Sequence, residues 1–143
     1  MRIRRIILKE RVTAFIFPLE DLSKYINIER TILRSLIDLW RENGPSDIQI
    51  SNPGEIWMII HKNKVISALA IGNALFFQKE GEFIYNLTTH LRCRQRGHAT
   101  RLLKAILKEK QLLYLEPTDN GELYKKLGFV TEGNLMKYVS NEM

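Results

Sequence analysis

Cysteine is nearly missing from the 143-residue sequence, and the one present, Cys93, excludes an intramolecular disulfide. A lone thiol also builds neither a redox pair nor a metal framework, so no metal is expected. Long apolar runs are missing as well, and none is long enough to span a bilayer. The N-terminal stretch MRIRRIILKERVTAFIF begins basic, but Lys9, Glu10 and Arg11 interrupt it. It therefore lacks both an unbroken signal-peptide core and a small-residue cleavage site. These absences lead to the expectation of a cytoplasmic protein with no membrane partner. Asn86-Leu87-Thr88 fits the glycosylation pattern, yet without an export signal it carries no weight. Proline and glycine are sparse, at four and eight residues, and no repeat, low-complexity tract or linker is visible. One domain over residues 1–143 is expected, with residues 1–11 as an extra N-terminal strand.

What is present in excess is positive charge. Twenty-two lysines and arginines against sixteen acidic residues give a net charge of +6. That balance suits nucleic acid, an anionic membrane or an acidic small molecule. No recognised nucleic-acid motif accompanies the charge, and no stacking aromatics interleave with the basic stretch Arg92 to Lys110. Nucleic acid is therefore disfavoured as a partner.

The apolar pattern changes period along the chain. Ile3 to Leu8 and Val12 to Phe17 are rich in β-branched and aromatic residues and read as two strands or a hairpin. From Pro18 to Asn43, Ile28, Ile32, Leu33, Leu36, Ile37 and Trp40 recur at helical spacing. Asn27 is placed to cap that segment and Asn43-Gly44-Pro45 to end it. Residues 55–90 hold three apolar runs broken at Lys62-Asn63-Lys64 and Lys79-Glu80-Gly81, the composition of an antiparallel meander. Ala99, Leu102, Leu103, Ile106 and Leu107 then mark one stripe of a helix whose other face carries Arg101, Lys104 and Lys108. QLLYLEP reads as a buried strand. Asp119 and Glu122 have capping-box spacing ahead of a short helix with Leu123, Tyr124 and Leu127, closed by Gly128. FVTEGNLMKYV supplies one or two last strands. The order predicts a mixed α/β, or α+β, domain.

The stretch RCRQRGHATRLLKAIL, Arg92 to Leu107, gathers three arginines and removes side-chain bulk just before a helix. The first amides of a helix have no internal partner and sit at its positive end. Gly97 and Ala99 let a ligand come close to them, and Arg92, Arg94 and Arg96 add charge, which together describe an anion site suited to a pyrophosphate. It is neither a P-loop nor a Rossmann fingerprint, because the Gly-Lys-Ser/Thr of the one and the third glycine of the other are missing.

Arg94-Gln95-Arg96-Gly97-His98-Ala99 resembles the Arg/Gln-x-x-Gly-x-Gly/Ala motif of the GNAT acetyltransferases. Leu123-Tyr124-Lys125-Lys126-Leu127-Gly128-Phe129-Val130 resembles that family's second signature, in the right order. The likeness runs from about Glu55 to Tyr138. It implies a central, mostly antiparallel sheet with splayed middle strands flanked by helices, and acetyl-CoA as co-substrate. It further implies direct attack by a primary amine of an acceptor, a peptide or small molecule that the sequence does not identify. A homodimer stays open. The alternative is an acyl-CoA-binding or sensing module on the same fold that has lost catalysis.

By the same resemblance, the backbone from Gln95 to Thr100, including Gly97, His98 and Ala99, would hold the pyrophosphate next to Arg94. His98, at a variable position of the motif, is expected to be exposed. Main-chain groups of Thr89, His90 and Leu91 would meet the pantetheine arm, and Asn120 would contact the cofactor. Here the sequence departs from the pattern: the customary asparagine seven residues before the tyrosine is Pro117, and Asn120 stands only four before it. Tyr124 corresponds to the general acid toward the coenzyme A sulfur; a phenol of pKa about 10 stays protonated and can donate to a thiolate. Glu116 resembles a glutamate that serves some peptide N-terminal acetyltransferases as general base. Glu82, Tyr85, His61 and His90 stay open as bases.

Overall fold

The structure is a computed structural model that describes residues 1–9, 16–51, 53–74 and 77–140. Seven strands form one sheet in the order β1(Arg2–Ile7), β4(Glu55–His61), β5(Lys64–Asn73), β6(Glu82–Thr89), β7(Leu112–Leu115), β9(Leu135–Val139), β8(Val130–Glu132). Every neighbouring pair is antiparallel except β6 with β7. A small ribbon pairs β2(Ile16–Pro18) with β3(Asp47–Gln49). Helix α1(Arg30–Asn43) covers one face of the sheet and α2(His98–Leu107) the other, and α3(Glu122–Lys126) follows β7.

The two-residue period of a strand divides the apolar residues between these faces. In β4, Ile56, Met58 and Ile60 join the core under α1, whereas Trp57 and Ile59 join the core under α2. In β5, Val65, Ala68 and Ala70 face α1, while Leu69 and Ile71 face α2. Helix α1 contributes Ile32, Leu36, Leu39 and Trp40, and α2 contributes Leu102, Leu103 and Ile106, all at helical spacing. Both central strands are buried on both faces, which explains their almost unbroken apolar runs.

The meander is as expected. Lys62 and Asn63 both have positive φ, 49° and 64°, and link His61 to Lys64 as a two-residue hairpin turn whose twist matches the strands it joins. Of the two N-terminal readings, separate strands and not a hairpin are found. Strand β1 pairs with β4 as an edge of the main sheet, whereas Ile16–Pro18 pairs with β3. The start of the second run, residues 12–15, lies outside the described residues. Helix α1 begins at Arg30 behind Glu29, not behind Asn27, and a 3-10 segment, Leu19–Lys24, precedes it. The head of α3 is capped by neither side of the expected box. Gly121 occupies the cap position with φ 73°, and Asp119 accepts the Gly121 amide at 2.8 Å.

One ion cluster fastens the start of the sheet. Lys110 Nζ lies 2.7 Å from Glu55 Oε1 and 3.1 Å from Glu82 Oε1, joining the segment after α2 to the first residues of β4 and β6. Trp57 Nε1 donates to the same Glu55 oxygen at 2.9 Å. The Lys110 and Glu55 side chains are only 13% and 14% exposed, so the pair is shielded from water. Burial alone would lower the Lys110 pKa, but the two carboxylates outweigh it and hold the ammonium above its ordinary 10.5. Lys110→Met leaves two carboxylates facing each other without a cation, and should cost about 2 kcal/mol in urea unfolding. A proton held more tightly in the folded chain stabilises it fully below pH 10.5 and stops doing so as pH rises through the higher folded value. The wild type should therefore show an alkaline stability loss in that window that Lys110→Met lacks; parallel pH curves for the two would contradict this role.

Candidate functional site

The parallel pairing of β6 with β7 ends almost as soon as it starts. Glu82 aligns with Leu113 and Phe83 with Tyr114, and no further pair follows. From Ile84 to Thr89 the β7-facing edge of β6 has no strand partner among the described residues, so the sheet opens between this edge and the turn after Leu115. An unpaired strand edge offers main-chain donors and acceptors to whatever enters.

A bulge shapes that edge. Across β5 and β6, Ala68 aligns with Thr88 but Ala70 with Tyr85, so β6 carries one extra residue. Asn86 takes it up with φ 58°. The slip puts Ile84 and Leu87, three residues apart, on the same face toward α2. Helix α1 pins the bulge: Trp40 Nε1 donates to the Asn86 carbonyl at 2.9 Å. Gly44 just beyond the helix has no room for a side chain, since a Cβ there would lie 2.5 Å from Thr88 Oγ1. The opening is the splay of the middle strands that the resemblance implies, whereas the bulge was not read from the sequence. The signal available was an asparagine inside the apolar run FIYNLTTH.

Beyond Thr89 the chain turns through Leu91–Cys93 into the stretch before α2. Gln95 and Gly97 both adopt positive φ, 64° and 83°. Gly97 is the cap residue of α2, and no side chain bonds to the helix start there. Its own carbonyl takes the Arg101 amide at 2.9 Å, while the amides of the first turn stay free of a capping side chain. Nothing lies within 4 Å of where a Gly97 Cβ would be, so the space in front of the loop is open. The helix start is therefore left-handed at its cap, without a capping side chain, and uncrowded.

The other motif residues divide differently from expectation. His98 is buried, at 9% exposure, and its Nε2 has no hydrogen-bond partner. Its burial corrects the expected exposed position: the first helical residue points toward the sheet on which α2 docks. Ala99 and Thr100 are half-buried, and Gln95 and Arg96 are exposed. Arg94 turns back into the fold, with Nε donating to the Thr89 carbonyl at 3.1 Å and Nη2 to the Asn43 carbonyl at 3.4 Å. The Leu91 amide is taken by Asn43 Oδ1 at 3.1 Å, the His90 amide by the Ile66 carbonyl at 2.7 Å, and His90 Nδ1 accepts the Arg92 amide at 3.2 Å. Thus the polar groups at Thr89–Leu91 brace the loop against α1 and β5. The free edge lies further back along β6.

Tyr124 sits on α3, partly buried against the α2-side core, with the Phe129 ring edge-on at 5.8 Å. Burial, then the Asp119 charge, push its phenol above the ordinary 10.0. Its hydroxyl makes no hydrogen bond among the described residues. Asn120 is exposed, and its Oδ1 accepts the Glu122 amide at 3.4 Å. Glu116 is exposed directly after β7. Leu113 and Leu115 face α2 and Tyr114 faces α1, so the alternation continued by one residue puts Glu116 on the α1 side.

The remaining candidate bases are placed elsewhere. Glu82 is held by Lys110 at the closed end of the opening. Tyr85 is buried beside Phe83, and burial raises its phenol to about 12. It therefore stays a protonated donor at neutral pH. His61 ends β4 at the hairpin tip, exposed and away from Tyr124.

A search of the curated proteins finds no match to the sequence. Among solved structures, the chain is similar to an acyl-CoA N-acyltransferase from Pseudomonas aeruginosa at 14% identity, over 95% of this chain and 97% of that one, with a TM-score of 0.60. It is similar to the Bacillus subtilis N-acetyltransferase YlbP, solved in complex with coenzyme A, at 15% identity over 98% and 97% of the two chains, with a TM-score of 0.54. At such identities the likeness is one of fold, a mixed α/β sheet between helices. The family model described as "Acetyltransferase (GNAT) domain" matches residues 52–131, which spans the meander, the opened pair of strands, the loop before α2 and the helix that carries Tyr124. The chain belongs to the GNAT acetyltransferase family.

Proposed function

We propose that this chain transfers the acetyl group of acetyl-CoA to a primary amine. The observation that carries the reading is the start of α2, where uncapped amides and the open space before Gly97 adjoin an unpaired strand edge. A pyrophosphate accepts hydrogen bonds from such amides, and an extended pantetheine arm, with its own amide groups, satisfies the free edge of β6. The bulge at Asn86 interrupts the regular direction of main-chain groups along that edge, where a thioester carbonyl needs a donor.

The chain's own residues then divide the proton movements. As the amine nitrogen bonds to the acetyl carbon and the carbon–sulfur bond breaks, the phenol of Tyr124 gives its proton to the departing thiolate. The attacking amine must also lose a proton. Glu116, on the α1 side, accepts it directly or through water, while the cofactor lies on the α2 side. The amine and the thioester thus approach from opposite faces of the opening.

Acetyl-CoA should raise the melting temperature of the wild type, and Gly97→Glu should abolish the shift by filling the open space with a negative side chain. Absence of any shift in the wild type at millimolar acetyl-CoA would overturn the reading. Tyr124→Phe should lower kcat by about ten- to a hundred-fold with little change in acetyl-CoA affinity, and wild-type turnover would sink the assigned role. Because burial and the Asp119 charge hold this phenol above its ordinary 10.0, the alkaline loss of kcat should come at higher pH than a free phenol would give. A panel of amine acceptors assayed for free coenzyme A identifies the substrate.

A further inference from the structure

A concavity among the described residues lies away from the start of α2. It lies on the other side of the Leu91–Cys93 turn, between α1 and the tip of the β4–β5 hairpin, and encloses about 980 Å³. That volume is at the upper end of small-molecule sites. The inner wall is apolar: Leu39, Val65 and Ile66 are buried side chains, and Leu91 stands at the mouth with 65% of its surface exposed. An exposed leucine beside a buried apolar wall continues that wall outward.

The rim is cationic. Arg30 and Arg34 come from α1, Lys64 from the hairpin and Arg92 from the turn, against the carboxylates of Asp38 and Glu42. Asp38 is already occupied by Arg34 at 3.7 Å and Arg41 at 4.0 Å. Arg30, Lys64 and Arg92 join no ion pair among the described residues, so three positive groups from three different segments line one apolar groove against a single remaining carboxylate, Glu42. A neutral ligand leaves them unmatched and a cation is repelled.

We propose that this groove, which borders the loop before α2 through the side chains of Leu91 and Arg92 but uses none of the amides at the helix start, binds an organic anion carrying a carboxylate on an apolar body. The apolar body covers Leu39, Val65, Ile66 and Leu91, and the carboxylate meets Arg30, Lys64 and Arg92. None of these contacts uses Gly97, Glu116 or Tyr124, and the site stands whether or not the acetyl transfer proposed above holds.

The test is calorimetric titration of the full chain with sodium octanoate, octylammonium chloride and 1-octanol, three probes that share one tail. Octanoate should bind, 1-octanol about ten-fold more weakly and octylammonium not measurably, a ten-fold loss being about 1.4 kcal/mol. Arg30→Glu with Lys64→Glu should weaken octanoate by at least about ten-fold, the same 1.4 kcal/mol, with an unchanged melting temperature, since both side chains are exposed and unpaired. Thr31→Trp, an exposed position at the groove, should block binding by occupying it. Saturating acetyl-CoA should leave octanoate binding in place. Absence of octanoate binding, equal binding of octylammonium, indifference to both variants, or displacement by acetyl-CoA would each overturn the site.

Discussion

The constraint on which the site depends is the two-residue limit of the parallel pairing between β6 and β7. A β-sheet normally satisfies the main-chain groups of a central strand on both sides, and a buried strand that gives up one side leaves donors and acceptors unpaired. Here that cost is confined to Ile84–Thr89, next to the uncapped start of α2. The bulge at Asn86 and the contact from Trp40 hold the free edge in one shape. The helix and strand therefore expose their unpaired groups to the same space, and a single extended ligand can satisfy both.

The two cores make that arrangement tolerable. Because β4 and β5 are buried on both faces, the first part of the sheet is held by apolar residues of α1 and α2 alike. The opening is displaced toward β7, where the connecting turns and α3 supply fewer buried side chains. Arg94 and Asn43 brace the loop from the α1 side, so the loop's shape is set without using the first amides of α2.

Much of the architecture was legible because it depends on local period. The three-strand meander, the stripe on α2 and the closing role of Gly128, with φ 101°, all follow from patterns within a few residues. What escaped depends on distant partners. Strand β1 was legible as a strand, but its partner is β4, some fifty residues on, and no local pattern names it. The position of the loop before α2 was visible in Arg94–Ala99. The inward turn of Arg94 and the burial of His98 were not, because each depends on which surface the helix docks against. The opening itself leaves no mark on composition, since Leu113 and Tyr114 read as an ordinary buried strand.

The cluster of Lys110, Glu55 and Glu82 sits at the apex of the opened strands, while the loop before α2 is at the mouth. Six residues of extended chain, Ile84 to Thr89, separate apex from mouth, a span of about 20 Å. With that lever arm, each degree of rotation at the apex displaces the mouth by about a third of an ångström. Lys110 and Glu55, shielded from water, together with the more exposed Glu82 thus fasten the apex, and any shift there is magnified at the gap across which a cofactor would be gripped.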